Sequence, residues 1–166
     1  MRILGIDPGM SGAAAVFDTD APDMVEATDF PLMGEESQRE IDGLALAEWI
    51  RSREPDHAFI ELVSAMPSIP GADGKRRGMG AASAFRFGIG VGAIRATVQI
   101  CRLPYTLVVP TKWKKLYLLK GGDKEPSRQR ALQLFPRSAP LFARKKDHQR
   151  AEAALMAAYG ARVLQA

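Results

Sequence analysis

The sequence holds a single cysteine, Cys101. No disulfide can form within the chain, and a reducing compartment is the natural setting for such composition. Long apolar runs are absent too: no stretch approaches the roughly 18 consecutive apolar residues of a membrane-spanning helix. The start, MRILGIDPG, has an arginine but neither a long apolar run nor a small-residue cleavage site, so no signal peptide is expected. These absences point to the cytoplasm and away from disulfide scaffolds and membrane spans. Internal repeats, low-complexity tracts and linker-like segments are missing as well. The 166 residues suit one domain, 1–166, with a sizeable buried core.

Acidic residues are scarce in one half only. Residues 75–166 carry 4 Asp/Glu against 19 Lys/Arg, a balance of +15. Residues 1–74 carry 15 Asp/Glu against 4 Lys/Arg, a balance of −11. The net charge of +4 conceals this split. A basic surface of this kind faces a polyanion, and nucleic acid is the expected one. A membrane surface fits less well, because the basic segments lack a long amphipathic helix with a Trp/Phe/Leu face.

The hydrophobic pattern predicts an α/β chain. Residues 2–6 and 13–17 read as strands of a hairpin, broken by Asp7-Pro8-Gly9 and Gly12. A weaker strand is expected within 24–32. Residues 41–53 read as an amphipathic helix, with Asp42 or Glu40 as cap and Leu44, Leu46, Ala47 and Ile50 as its apolar face. Residues 58–63 (AFIELV) form a short buried strand, and 64–80 a Gly/Pro/Ser-rich loop. A long helix over 81–100 precedes a strand within 103–109. Thr111 can cap a helix at 112–119, and Pro126 suits the first turn of another reaching 134. Residues 136–146 read as a basic loop, and 148–164 as a final helix. Strands followed by alternating helices give a mixed sheet flanked by helices.

Two acids stand where acids are unusual. Asp7 ends one apolar strand and Glu61 lies inside another, flanked by Ile60 and Leu62 and so facing away from them. Carboxylates on neighbouring buried strands repel unless a cation lies between them. A divalent metal meets that need; an arginine partner or a solvent-facing Glu61 is the plainer alternative. Asp147 and Glu152 are the only acids after Glu125, and they open the last, apolar helix. Asp147 also suits a helix N-terminus on electrostatic grounds alone. His148 reads as a ligand, an acid/base group or a polar cap residue. Two-metal phosphodiester cleavage needs three or four converging carboxylates, and these acids fit in number and type.

The same segments resemble a known family. ILGIDPGMSGAA resembles the first motif of the RuvC-type Holliday junction resolvases, and FIELV with SAMPS their second acidic strand and loop. SAFRFGIGVGAIRA resembles the following helix, VVPTKWKKLYLLKGGDKEPSRQRALQLFP the basic segment after the fifth strand, and DHQRAEAALMAAYG the terminal acidic helix. These motifs occur in order along nearly the whole chain. The AMPS, KWKK and RAEAA features look closer to phage-like or prophage-like branches.

The resemblance implies a ribonuclease H-like fold with a mixed five-stranded sheet flanked by helices. It implies Mg²⁺, with Mn²⁺ as substitute, and a homodimer that nicks a four-way DNA junction in a bacterial or phage-infected cell. It implies Asp7, Glu61 and Glu152 as metal ligands, with Asp147 as the fourth and His148 as the alternative to it. It also implies Lys124 as a catalytic aid, and Lys75, Arg76, Arg77, Lys112, Lys114, Lys115, Lys120 and Lys124 as DNA contacts. The terminal motif departs from the family pattern of two ligands three apart, because Asp147 is five and His148 four residues before Glu152. Trp113 suits core packing better than base stacking. Ser83, Phe85 and Phe87 suit the core or a wedge at the junction centre. Gly88 and Gly92, four apart, suit a dimer interface or close packing on the sheet.

Other readings stay in view. A related nuclease acting on RNA–DNA hybrids or other branched DNA shares the chemistry. A non-catalytic junction-binding scaffold is opposed by the four acids. An actin-like ATPase or sugar kinase also opens on an apolar strand, an Asp and glycines, but needs more chain and a second phosphate loop.

Overall fold

A computed structural model of the chain describes residues 1–64, 69–70, 76–77, 79–119 and 125–166, with the backbone alone at 37, 69–70 and 76–77. The first two strands are β1 (Arg2–Asp7) and β2 (Ala13–Asp18), joined by a tight turn. Gly9 takes φ +148° there, and Gly12 donates its N–H to the Gly9 carbonyl at 3.0 Å. Only glycine adopts such a φ without strain, which explains the DPGMSG break. β3 (Val25–Asp29) follows as a shorter strand than 24–32. A small hairpin, β4 (Leu32–Met33) with β5 (Glu40–Ile41), leads into α1 (Gly43–Arg51).

Asp42 caps α1, accepting the Ala45 N–H at 3.0 Å, an arrangement worth about 1 kcal/mol. Leu46, Ala47 and Ile50 form its buried face, but Leu44 is 69% exposed and does not belong to it. Its place in the first turn points it away from the sheet. β6 (His57–Glu61) is the second buried strand. The two-residue strands β7 (Ile69–Pro70) and β8 (Arg76–Arg77) pair within the region expected as a loop.

The long helix is α2 (Ala81–Ile100), followed by β9 (Tyr105–Val108) and α3 (Pro110–Leu116). Thr111 does not cap α3: Val109 is the capping residue, and Pro110, whose fixed φ suits a first turn, starts the helix two residues earlier. α4 (Glu125–Leu134) comes next. Residues 136–146 are not a plain loop, because 3-10 turns cover Pro136–Phe142 and Lys145–Asp147. α5 (His148–Gln165) closes the fold. No helix among the described residues is long and apolar enough to cross a membrane.

The five-stranded sheet has the order β3-β2-β1-β6-β9. β1, β2 and β3 pair antiparallel, whereas β6 runs parallel to β1 and β9 parallel to β6. Side chains alternate across it. Leu4, Ile6, Ala58 and Ile60 meet Leu46, Ile50, Ile94 and Val98 of α1 and α2. Ile3, Ala13, Phe17 and Phe59 meet α5 and the aromatic pair Phe135 and Phe142 on the other face. Asp7 shares the parity of Ile3 and Gly5, and Glu61 that of Phe59, so both acids belong to the α5 face.

α5 lies unusually close to the sheet. A Cβ added to Gly5 would overlap the Ala153 carbonyl oxygen and reach within 2.5 Å of the Ala157 amide nitrogen; one added to Gly160 would overlap the Phe59 ring. Alanines at 151, 153, 154, 157 and 161 keep the buried side of the helix thin. Gly5→Ala is therefore expected to destabilise the protein by at least about 1–3 kcal/mol, the usual cost of overpacking. Gly160→Ala should cost less, because a ring can shift where backbone cannot. Urea denaturation of the two variants checks the order.

Candidate active site

Asp7 and Glu61 are the last residues of two neighbouring parallel strands, one step beyond the Ile6–Ile60 pair in register. Apolar runs drive these strands into the sheet, and the chain must leave it at Pro8 and after Glu61. The acids thus stand at one edge, fixed by rigid backbone. Asp7 is 9% exposed and Glu61 half-buried. α5 crosses β1 where Ala153 and Ala157 meet Gly5. Glu152, adjacent to Ala153 and 6% exposed, is thereby carried over the same end of the sheet.

Three side chains from α3 and α4 meet these acids. The fully buried Trp113 donates its indole N–H to Glu61 Oε1 at 3.1 Å. The buried Ser127 hydroxyl donates to Glu152 Oε1 at 3.1 Å. Lys114 Nζ stands 3.7 Å from the same Oε1 and 5.1 Å from the centre of the Trp113 ring. Lys114 thus places a positive charge beside Glu152.

Asp147 is treated differently. It is buried, and Arg144 takes both of its carboxylate oxygens: Nη2 at 2.8 Å from Oδ1 and the backbone N–H at 2.8 Å from Oδ2. Burial opposes its charge, yet the Arg144 side-chain and backbone bonds hold its carboxyl below the usual aspartate range. It stands at the N-cap position of α5 without donating order to that helix through its own side chain. His148 opens α5 with Nδ1 3.1 Å from the Lys145 carbonyl oxygen. A carbonyl only accepts, so Nδ1 carries the proton in this arrangement and Nε2 is left as an acceptor. Four residues before Glu152, it shares that residue's helix face. Asp147, five before, does not. Arg150 anchors the same turn through a bidentate pair with Asp29 at the end of β3, at 2.7 and 2.6 Å.

Three carboxylates on two strands and a helix fit a hard divalent cation by donor chemistry. Among the described residues, no group of three or more His, Cys, Asp or Glu side chains is placed to hold a metal ion, and Glu152 is engaged by Ser127 and Lys114.

The expected DNA contacts divide. Lys112 and Lys115 are exposed on α3, whereas Lys114 turns toward Glu152. Lys75, Lys120 and Lys124 lie outside the described residues, and of Arg76 and Arg77 only the backbone pairing with Ile69–Pro70 is described. Ser83 and Phe85 are exposed and Phe87 half-buried, so none of them joins the core. Among the described residues, a Cβ at Gly88 or Gly92 would find nothing within 4 Å. Close packing of these glycines on the sheet is therefore excluded. The sequence reading missed the roles of Ser127, Arg144 and Arg150. Lys114 was lost among like neighbours, although its position directly after an inward Trp was a usable signal.

No protein-family model and no curated protein matches the sequence. Solved structures do match the fold. The chain is similar to T. thermophilus RuvC in complex with Holliday junction substrate, with a TM-score of 0.67 at 16% identity, over 98% of this chain and 96% of that one. It is also similar to a second Thermus thermophilus RuvC structure, with a TM-score of 0.57 at 14% identity over 98% and 96%. Across this whole length, the chain has the ribonuclease H-like fold of RuvC.

Proposed function

We propose that the chain is a metal-dependent endonuclease that nicks four-way DNA junctions. What supports this reading is that Asp7 and Glu61 end neighbouring strands at one sheet edge, that Glu152, with Lys114 beside it, stands on the helix packed over that sheet, and that the fold is RuvC-like. The similar T. thermophilus structure holds a Holliday junction substrate, which favours branched DNA over an RNA–DNA hybrid.

Asp7, Glu61 and Glu152 would hold Mg²⁺ or Mn²⁺, which when bound neutralises phosphate charge and lowers the pKa of water. His148 is the better-placed fourth ligand. Its Nδ1 hydrogen bond to a carbonyl is the arrangement that orients metal-binding histidines, whereas Arg144 occupies both oxygens of Asp147. Lys114 Nζ is positioned to stabilise charge developing on a phosphate. Exposed Lys112 and Lys115 on the same helix grip the phosphate backbone. The family resemblance adds Lys75, Arg76, Arg77, Lys120 and Lys124 to that grip, with Lys124 also as a catalytic aid. A homodimer, formed over the α2 face that exposes Phe85 (71%) and Ile89 (42%), gives two such sites for paired nicks.

Incubation of a synthetic four-way junction, a flap, a linear duplex and an RNA–DNA hybrid with Mg²⁺ tests the reading. Paired nicks in the junction alone are expected, from protein that sediments as a dimer. Asp7→Asn, Glu61→Gln and Glu152→Gln should each cut nicking by at least about 10²-fold, beyond the ~10–100-fold typical of an outer partner, and leave junction binding intact. Binding with no cleavage by the unaltered protein would favour a junction-binding scaffold, and faster cutting of the hybrid a different substrate.

Asp147→Ala should lower the unfolding free energy by roughly 1–3 kcal/mol, since it strips the Arg144 bonds from a buried site. His148→Ala should weaken Mn²⁺ binding with little change in stability. Calorimetry and thermal melts on both variants separate the two roles; the reverse pattern restores Asp147 as the fourth ligand.

Lys114→Met should slow nicking at saturating junction. Lys112→Met should weaken binding and reduce the slope of log affinity against log salt by about 0.9, the contribution of one phosphate contact. Fluorescence anisotropy across a salt series measures this.

A further inference from the structure

Glu61 and Glu152 each receive a hydrogen bond from a buried neutral donor, and Glu152 has the Lys114 ammonium 3.7 Å from the same oxygen as well. Trp113 reaches Glu61 Oε1 from α3, and Ser127 reaches Glu152 Oε1 from α4, each at 3.1 Å. Asp147 has a guanidinium instead. The distinction is chemical. A guanidinium neutralises a carboxylate and competes with any other cation for it. An indole N–H or a hydroxyl orients the carboxylate without itself adding a cation that competes for it, whatever other partners the acid has. Glutamate has three rotatable bonds, and ordering such a side chain costs up to about 1.5–2 kcal/mol. A carboxylate already held in one rotamer is spared much of that cost when a ligand arrives.

Both donors occupy buried, packed positions. Trp113 is fully buried among β1, β6 and α5 side chains, and Ser127 is 2% exposed beneath α5. Neither is required there by packing alone: a phenylalanine fills most of the indole's space, and an alanine most of the serine's. What each supplies beyond volume is one N–H or O–H aimed at one carboxylate oxygen. Trp113 also lies under Lys114, 5.1 Å from its ring centre, so a single side chain orders an acid and the neighbouring cation.

We infer that Trp113 and Ser127 are positioning residues that pre-order Glu61 and Glu152 for a divalent cation. This rests on the proposal that these acids bind metal. Neither residue touches substrate; each acts through the carboxylate it holds.

The test is Mn²⁺ titration of the full chain without DNA, followed by electron paramagnetic resonance, for the unaltered protein, Trp113→Phe, Ser127→Ala and the double variant. A control, Phe135→Leu, loses core volume at the far end of the sheet, where Phe135 packs 5.9 Å from Phe17. Thermal melts of the metal-free proteins run alongside. Trp113→Phe and Ser127→Ala are each expected to weaken Mn²⁺ binding by about 10–100-fold, and the double variant further. Phe135→Leu should keep full Mn²⁺ affinity while melting lower. Unchanged Mn²⁺ affinity in both single variants, or an equal loss in Phe135→Leu, overturns the inference. Absence of Mn²⁺ binding by the unaltered protein overturns the metal reading beneath it, and with it the inference, and is distinct from either of those results.

Discussion

The contact between Gly5 of β1 and the backbone of α5 sets the height of the last helix above the sheet. At most helix–sheet interfaces, side chains of both elements separate the two backbones. Here Gly5 contributes none and the Ala153 carbonyl fills the gap. Glu152 is adjacent to that contact in sequence, and Asp7 lies two residues along the strand on the same face. The distance between these acids thus depends on backbone geometry more than on side-chain packing. The thin alanine face gives up apolar area. Phe17, Phe59, Phe135 and Phe142 restore it at the other end of the same layer, where Phe135 lies 6.3 Å from Phe142 and Phe59 meets Tyr159 edge-on. One layer is therefore graded, aromatic at one end and carboxylate at the other.

Charge is distributed with similar economy of means. Asp7 and Glu61 come from the acidic first half of the chain, and Glu152 from the basic second half. Bringing the halves together packs the helix of Glu152, with Lys114 beside that acid, over the sheet whose strands end in Asp7 and Glu61, while Lys112 and Lys115 stay exposed. The remaining acid of the terminal segment is absorbed by Arg144, and Asp29 by Arg150. These two guanidinium pairs tie the first turn of α5 to β3 and to the preceding 3-10 turn, so Glu152 stands on an anchored helix start. Each pair has one partner more than half exposed to solvent, so the pairs fix the arrangement of this turn more than they add to net stability.

The sheet and both strand acids were legible because they rest on local pattern. RILGI and AFIEL are apolar runs of strand length, and an acid interrupting either has to be explained. The Asp42 cap and the reach of α2 followed from equally local signals. Leu44 was misread because helical periodicity admits it to the apolar stripe by a small rotation, and only the position of the sheet decides the matter. Thr111 was misread because a good capping residue was weighed above the Pro110 that precedes it. The 3-10 turns over 136–147 were hidden by prolines and charges that also suit irregular loops. The bonds from Trp113 to Glu61 and from Ser127 to Glu152 span 52 and 25 residues. Nothing in local spacing encodes such pairings; they exist only once α3 and α4 have docked under α5.

α5 is buried along most of its length, and β1 is enclosed on both faces. Segments of this kind open to solvent only when the whole molecule does. α3 is seven residues long, and Trp113 is its one fully buried side chain. Brief loosening of so short a helix needs few contacts to break. The acids and the donor that steadies Glu61 therefore belong to units with different lifetimes: the charges persist as long as the fold itself, while the orientation of Glu61 is renewed each time α3 settles back onto the sheet.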